Sequence, residues 1–244
     1  MPEKYSLFLL LALLAEIVGT VSGFGSSILF VPIASLFFDF KLVLGITALF
    51  HVFSNLSKLY LFREGIRRDI VWKLGLPAVA AVVAGALLTR YIPQKESEVL
   101  MNMLLLILAV ILFIRHNKAL RPSLQNLIGG GLLSGFLAGL VGTGGAIRGL
   151  TLAAFQLEKN SFIATSAFID LFVDSSRAVV YVYHQYFQQQ HLILLPFLAL
   201  VSLLGSRLGQ LILKQTSEKA FRTIVLLVVA ATALFQLSRY FWFA

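Results

Sequence analysis

Apolar stretches recur along this chain, at 42–62, 71–90, 99–114, 192–213 and 220–237, and few of their positions are charged. A helix crosses the hydrocarbon core of a bilayer with about 20 predominantly apolar residues. Inside lipid every backbone N–H and C=O must find its partner within the protein, which leaves helices or closed barrels. Runs of this length with no strict alternation are helical. The stretches take up most of the 244 residues, so little chain remains for a soluble domain. The expectation is an all-α integral membrane protein with one transmembrane domain over 1–244. Charged residues make up 13% of the chain, about half the usual share in soluble proteins.

The net charge of +9 raises the question of nucleic acid. A nucleic-acid face needs basic residues clustered on a folded surface, and here they sit mainly in short loops between apolar segments. The positive-inside rule accounts for them more simply. The expected environment is therefore the lipid bilayer, with no nucleic-acid partner. The chain has no cysteine, and its four histidines, His51, His116, His184 and His191, show no metal-ligand spacing. No metal or cofactor is expected. Residues 6–22 look like a signal peptide. Glu16 interrupts that run, and the segment has a counterpart later in the chain, so it reads as a mature helix.

That counterpart belongs to an internal repeat. Gly23-Phe24-Gly25-Ser26 lies 119 residues before Gly142-Thr143-Gly144-Gly145. The same offset pairs His51 with Asp170, Asn55 with Asp174, Ser57 with Ser176, Lys58 with Arg177, and Pro77 with Pro196. With one residue inserted, Gly85 falls on Gly205. Ordered matches along the whole length indicate duplication, with repeats of about 1–120 and 121–244. The first repeat reads as hydrophobic elements at about 5–22, 26–38, 42–62, 70–90 and 97–115. The second reads as 124–141, 145–156, 161–183, 191–213 and 219–240. The second element of each repeat, 26–38 and 145–156, is too short for a straight crossing, and a glycine-rich joint precedes it. Non-helical backbone survives at membrane depth only when it is buried in protein or lines a wet cavity. Whether these short elements cross fully or re-enter stays open at this point.

Five elements is an odd number, so the repeats are expected to be inverted relative to each other if the short elements count as crossings. The loops agree. Residues 63–73 hold Arg63, Arg67, Arg68 and Lys73, whereas the matching loop, 184–191, holds no Lys or Arg. Of the 20 Lys and Arg, 11 then fall in inside loops, five in outside segments and four within apolar segments. Both termini lie outside on this count.

The charges inside the apolar segments carry the functional argument. They are Glu16, Lys58, Arg148, Asp170, Asp174, Arg177 and Arg207. Each costs about 2.5–3.5 kcal/mol at the bilayer centre on insertion scales, so they face one another, an aqueous cavity or a helix end. Asp170, Asp174 and Arg177 share one helical face at i, i+4 and i+7, and His51, Asn55 and Lys58 occupy the equivalent face of the other repeat. An internal Asp174–Arg177 salt bridge is one reading of this pattern. A polar cavity in which Lys58 and Arg177 converge on an anion is the other. Arg148 either snorkels or adds a third cation, and for Arg207 snorkelling is favoured. Glu16 is a proton carrier or a partner for a basic residue. His51 is a hydrogen-bonded core residue or a coupling group. Helix N-termini at both glycine joints direct free N–H groups towards an anion.

Gly23-Phe24-Gly25-Ser26-Ser27-Ile28-Leu29-Phe30-Val31-Pro32, followed by a polar helix with Asn55 and Lys58, resembles the first half of the TauE/SafE sulfite exporter family. Gly142-Thr143-Gly144-Gly145 resembles the start of its second half. Two features depart from the pattern: Thr151 stands where the first repeat has Pro32, and Arg148 follows the second break. The resemblance implies export of sulfite or an organosulfonate across the cytoplasmic (inner) membrane, coupled to the proton gradient.

The expected function is thus secondary transport of a small anion, with a passive anion channel, or transport of another anionic metabolite, as alternatives. The expected substrate shell is Gly25, Ser26, Asn55, Ser57, Lys58, Gly144, Gly145, Arg148, Ser176 and Arg177. The proton-coupling candidates are Glu16, His51, Asp170 and Asp174. Removing Lys58 and Arg177 together is expected to abolish binding and leave the fold largely intact. The chain has no His-Glu-x-x-His or Gly-x-Ser-x-Gly motif, so no enzymatic activity is expected. A homo-oligomer is compatible with the sequence.

Overall fold

The computed structural model describes residues 2–93 and 122–217, with isolated positions in the segments that follow each. The expected fifth elements, 97–115 and 219–240, lie outside the described residues. The described chain is helical. It comprises α1 (Pro2–Ser22), α2 (Ser27–Ala34), α3 (Phe40–Leu61), α4 (Arg68–Tyr91), α5 (Leu124–Val141), α6 (Gly145–Ala153), α7 (Lys159–Tyr183) and α8 (Leu194–Gln215). Five of these, α1, α3, α4, α5 and α8, are long and apolar enough to cross a membrane. α7 is as long, but it carries Asp170, Asp174 and Arg177 within it. Together with the apolar surface described below, these spans make the chain a multi-pass membrane protein. α4 contains a π-turn, Val71–Gly75, just before Pro77. Proline has no N–H to donate, and a wider turn absorbs the missing bond.

The short helices run back along the helices before them. Phe38 lies beside Tyr5 and Phe8, Phe30 lies beside Phe8, and Ser26 lies against Gly19. α2 is therefore antiparallel to α1 and returns towards the end where the chain begins. α6 does the same beside α5, since Gly144 touches Ser134 and Thr151 touches Gly130.

The long helices form two parallel sets. In the first, Gly205 and Gly209 of α8 meet Glu16 and Thr20 of α1, while Ser54 of α3 and Ser206 of α8 share the Glu16 carboxylate. In the second, Gly131, Gly135 and Gly139 of α5 meet Leu74, Ala78 and Val82 of α4. A Cβ added at Gly135 would stand 2.1 Å from the Ala78 carbonyl oxygen, so the backbones touch there. Small residues at such seams let membrane helices approach closely. Across the middle, α3 and α7 run antiparallel. His51 meets Arg177 and Asn55 meets Asp174, while Gly45 lies against Phe187 and Gly65 against Ser161.

The outer surface is apolar. On α8, Phe197, Leu200, Leu204, Leu208 and Leu211 are exposed, while Ser202, Gly205, Ser206 and Gly209 face inward. In water this pattern would be inverted; in lipid it is the expected one. The two ends of the bundle differ in charge. Lys4 sits over Phe38, and Lys41 sits over Tyr186 with Arg90 in electrostatic range of it, all at the end where the chain begins. The opposite end holds Arg63, Arg67, Arg68, Lys73, Lys159 and Lys214. It is tied together by Lys159 Nζ donating to the Thr216 carbonyl and by the Arg67 N–H donating to Thr165 Oγ1 (3.0 Å).

Candidate functional site

The two glycine joints and the middle turns of α3 and α7 enclose one buried polar cluster. Gly23, Gly25 and Gly142 have φ of 72°, 82° and 81°, in the left-handed region that favours glycine. These joints end α1 and α5 inside the bundle and start α2 and α6 there. Neither start carries a side-chain cap, so first-turn N–H groups remain without intrahelical acceptors. The joints face each other: a Cβ added at Gly145 would lie 2.0 Å from the Phe24 carbonyl oxygen.

Three cations and three carboxylates pair off here. Lys58 Nζ lies 3.0 Å from Glu16 Oε1. Arg148 is paired with Asp170, and its Nε donates to Ser166 Oγ (3.0 Å). Arg177 Nη2 lies 2.6 Å from Asp174 Oδ1. Asn55 Nδ2 donates to the other Asp174 oxygen (2.7 Å), so two positions related by the 119-residue offset touch directly. All six charged groups are buried, Glu16 at 0% and Arg177 at 1% exposure.

Glu16 accepts from four hydroxyls besides Lys58: Ser26 at 2.6 Å, Ser54 at 2.7 Å, Ser206 at 2.9 Å and Thr20 at 3.2 Å. Lys58 also donates to Ser54 Oγ (2.8 Å). Arg177 is held differently. Its Nη1 donates to the carbonyls of Ala138 and Gly142 at 2.9 Å each, at the C-terminus of α5, where a cation is favourable. Its Nη2 lies 3.2 Å from His51 Nδ1, and its Nε–H has no partner among the described residues. His51 Nε2 lies 3.1 Å from Ser26 Oγ.

A cavity of about 20 Å³ lies among these groups, close to the space one water needs. Gly25, Asn55, Lys58, Gly144, Gly145, Arg148 and Arg177 of the expected shell line it. Ser26 joins through Glu16 and His51. Ser57 and Ser176 are outside its lining. Of the coupling candidates, His51, Asp170 and Asp174 line the cavity, and Glu16 stands behind Lys58 and Ser26. Arg148 points inward, and Arg207 is exposed, with Nη1 donating to Gln210 Oε1 (2.7 Å). The sequence reading missed Ser54, Ser166, Ser206 and Thr20, because hydroxyls are common in membrane helices and stand out by no charge. Three of them had a local signal: Thr20 is at i+4 from Glu16, and Ser54 and Ser166 stand four residues before Lys58 and Asp170.

A second, open cavity of about 690 Å³ lies at the sparsely charged end, between 35–42 and 184–191. Lys41, His184, Tyr186 and His191 line it. Burial pushes the Tyr186 phenol up, against the pull of Arg90.

The profile of the Sulfite exporter TauE/SafE family matches residues 8–235. The chain belongs to the TauE/SafE family. It is also 28% identical over 157 residues to a protein described as a probable membrane transporter of Methanocaldococcus jannaschii. That match covers 58% of each chain, so the chain spans less than two thirds of the relative's length. No solved structure matches. The helical described residues, the apolar spans and the family make this a multi-pass membrane protein of a transporter family, and the TauE/SafE match covers both glycine joints and all six paired charges.

Proposed function

We propose that this TauE/SafE protein is a secondary transporter that moves a small anion, sulfite or an organosulfonate, through the buried cluster together with a proton. The observation that carries this reading is the charge count of the cluster. Lys58, Arg148 and Arg177 are balanced by Glu16, Asp170 and Asp174. A monoanion entering alone would leave a net charge buried in low dielectric, at a cost of several kcal/mol. A monoanion entering with one proton leaves the cluster neutral. The proton takes a carboxylate's charge, and the cation it releases turns to the anion. The net direction, export included, follows from the anion and proton gradients together.

Three features support the binding role. Arg177, whose Nε–H has no partner among the described residues, lines the cavity. The uncapped starts of α2 and α6 supply N–H donors and positive dipole ends. Three cations from three different helices converge on the same space. The small volume of the cavity suits an occluded state that must widen to admit an oxyanion.

Alternating access through inverted repeats of about 1–120 and 121–244 is supported by the helix directions. α3 and α7, equivalent by the 119-residue offset, run antiparallel. α1 and α5 are also equivalent, as are α4 and α8, and the packing of α1 on α8 is matched by that of α4 on α5. A two-fold axis in the membrane plane relates such pairs. The basic end would then be inside and the sparse end outside, facing away from the cytoplasm across the inner membrane.

The test is labelled sulfite flux in proteoliposomes under an imposed pH gradient, with organosulfonates as competitors. Saturable flux that follows the pH gradient supports the reading. Flux that follows membrane potential alone and ignores pH would instead indicate a passive anion channel.

A further inference from the structure

The hydrogen bonds between the two halves have a direction, and Arg177 sets it. A guanidinium only donates, so His51 Nδ1, 3.2 Å from Arg177 Nη2, must accept and carries no proton. Neutral His51 then holds its proton on Nε2. That proton points at Ser26 Oγ, 3.1 Å away. The Ser26 hydroxyl proton is directed in turn at Glu16 Oε2, 2.6 Å away. The chain of donors therefore runs Arg177, His51, Ser26, Glu16. It links the cation of the second half to the carboxylate that neutralises Lys58 of the first. All four residues are buried.

From this geometry we infer that Arg177 locks a proton relay from His51 through Ser26 to Glu16, and that an anion drawing Arg177 away opens it. The inference rests on the proposed transport reading. In the locked state His51 cannot pass on its Nε2 proton, because Nδ1 has no replacement proton and the product would be an imidazolate. Once Arg177 turns to the anion, Nδ1 is free. A proton from the cavity then bonds to Nδ1, the Nε2 proton moves to Ser26 Oγ, and the Ser26 hydroxyl proton moves to Glu16 Oε2. The sum is one proton added to Glu16 and His51 left neutral as the Nδ1–H tautomer. Glu16 loses its charge and releases Lys58 to the anion. When the anion leaves and Arg177 returns, the steps run in reverse.

The relay is insulated from other titrating paths. The charged groups acting directly on His51 are the cations Arg177, Lys58 and Arg148. Asp174 touches Arg177 and Asn55, and Asp170 touches Arg148. The remaining neighbours of the His51 ring include Phe30 and Phe50, which exchange no protons. Ser26 is thus the single hydroxyl, among the described residues, bonded to both His51 and Glu16. It acts as a positioning residue and proton conduit.

Two measurements test the relay. The first is the ¹⁵N NMR spectrum of ring-labelled histidine in the protein in nanodiscs, with His51 assigned by His51→Gln. The expected anion-free spectrum shows a protonated Nε2 and a bare Nδ1, and sulfite shifts both ring nitrogens. A bare Nε2 with a protonated Nδ1 in the anion-free protein would overturn the lock. The second compares pH-driven sulfite accumulation with sulfite–sulfite counterflow in Ser26→Ala proteoliposomes. The ratio should fall at least about tenfold, and Ser26→Thr should restore it. An unchanged ratio sinks the relay and leaves the transport reading standing. Absence of counterflow in the unsubstituted protein sinks both.

Discussion

Lys58 and Arg177 occupy equivalent positions in the two halves, yet the chain holds them in different ways. Lys58 is a point charge against one carboxylate, with Ser54 as its second contact. Glu16, its partner, has four hydroxyls to fall back on. Arg177 is a planar fork fixed to two carbonyls, a carboxylate and an imidazole. Arg suits multidentate anchoring and Lys suits exchange of a single contact. Duplication thus supplied two cations, and their surroundings differ: Arg177 can release His51 through Nη2 while Nη1 stays anchored to the α5 carbonyls, whereas Lys58 is held by one carboxylate and one hydroxyl. Loss of Arg177 is therefore expected to harm the fold more than loss of Lys58.

The largest expected effect breaks the comparison most directly. Arg177→Ala strands Asp174 and leaves the Ala138 and Gly142 carbonyls without their side-chain donor. It should cost about 3–5 kcal/mol of stability, read as a large fall in the thermal unfolding midpoint in detergent. Lys58→Ala should cost clearly less, because Glu16 keeps its hydroxyl donors. Equal losses would show that the halves are held alike.

Next comes anion affinity. Lys58→Ala should weaken sulfite binding about tenfold or more, the worth of a hydrogen bond to a charged group, while the protein stays folded. Titration calorimetry of the purified variant reads this. Unchanged affinity would place Lys58 outside the site.

The joints give a smaller contrast. Ala at Gly142 must adopt φ near 81° and would bring a Cβ to 2.8 Å from Leu44 Cδ2. Ala at Gly25 meets the same strain, but its closest neighbour is Arg148 Nη2 at 3.8 Å. Both should destabilise by about 1–3 kcal/mol, with Gly142→Ala the worse of the two by thermal unfolding. At the bottom of the scale, Arg67 and Asp69 pair at the surface, 50% and 52% exposed. Pairs of this kind contribute little, so Asp69→Asn should leave the unfolding midpoint unchanged.

Much of this was legible in the sequence. Apolar runs placed the described long helices to within a few residues, because lipid tolerates little else over such lengths. The glycine joints and charged positions stood out for the same reason: each is costly in a membrane segment. The 119-residue offset even paired Asn55 with Asp174, which touch. What stayed hidden was partnership. Glu16 and Lys58 are 42 residues apart on different helices, and nothing local in either helix encodes their contact. Arg148 could equally have snorkelled, and only the fold of α6 against α7 turns it towards Asp170. The backward path of α2 and α6 was equally open, since helix length alone does not give direction.

The central claim is that anion and proton travel together through a neutral cluster. The most direct test uses methanesulfonate, whose charge is fixed across the working pH range, in proteoliposomes with a one-unit pH gradient, acid outside. One proton per anion predicts about tenfold accumulation, since one pH unit is worth about 1.4 kcal/mol, and no response to an imposed membrane potential. Accumulation set by the potential and indifferent to pH would contradict it.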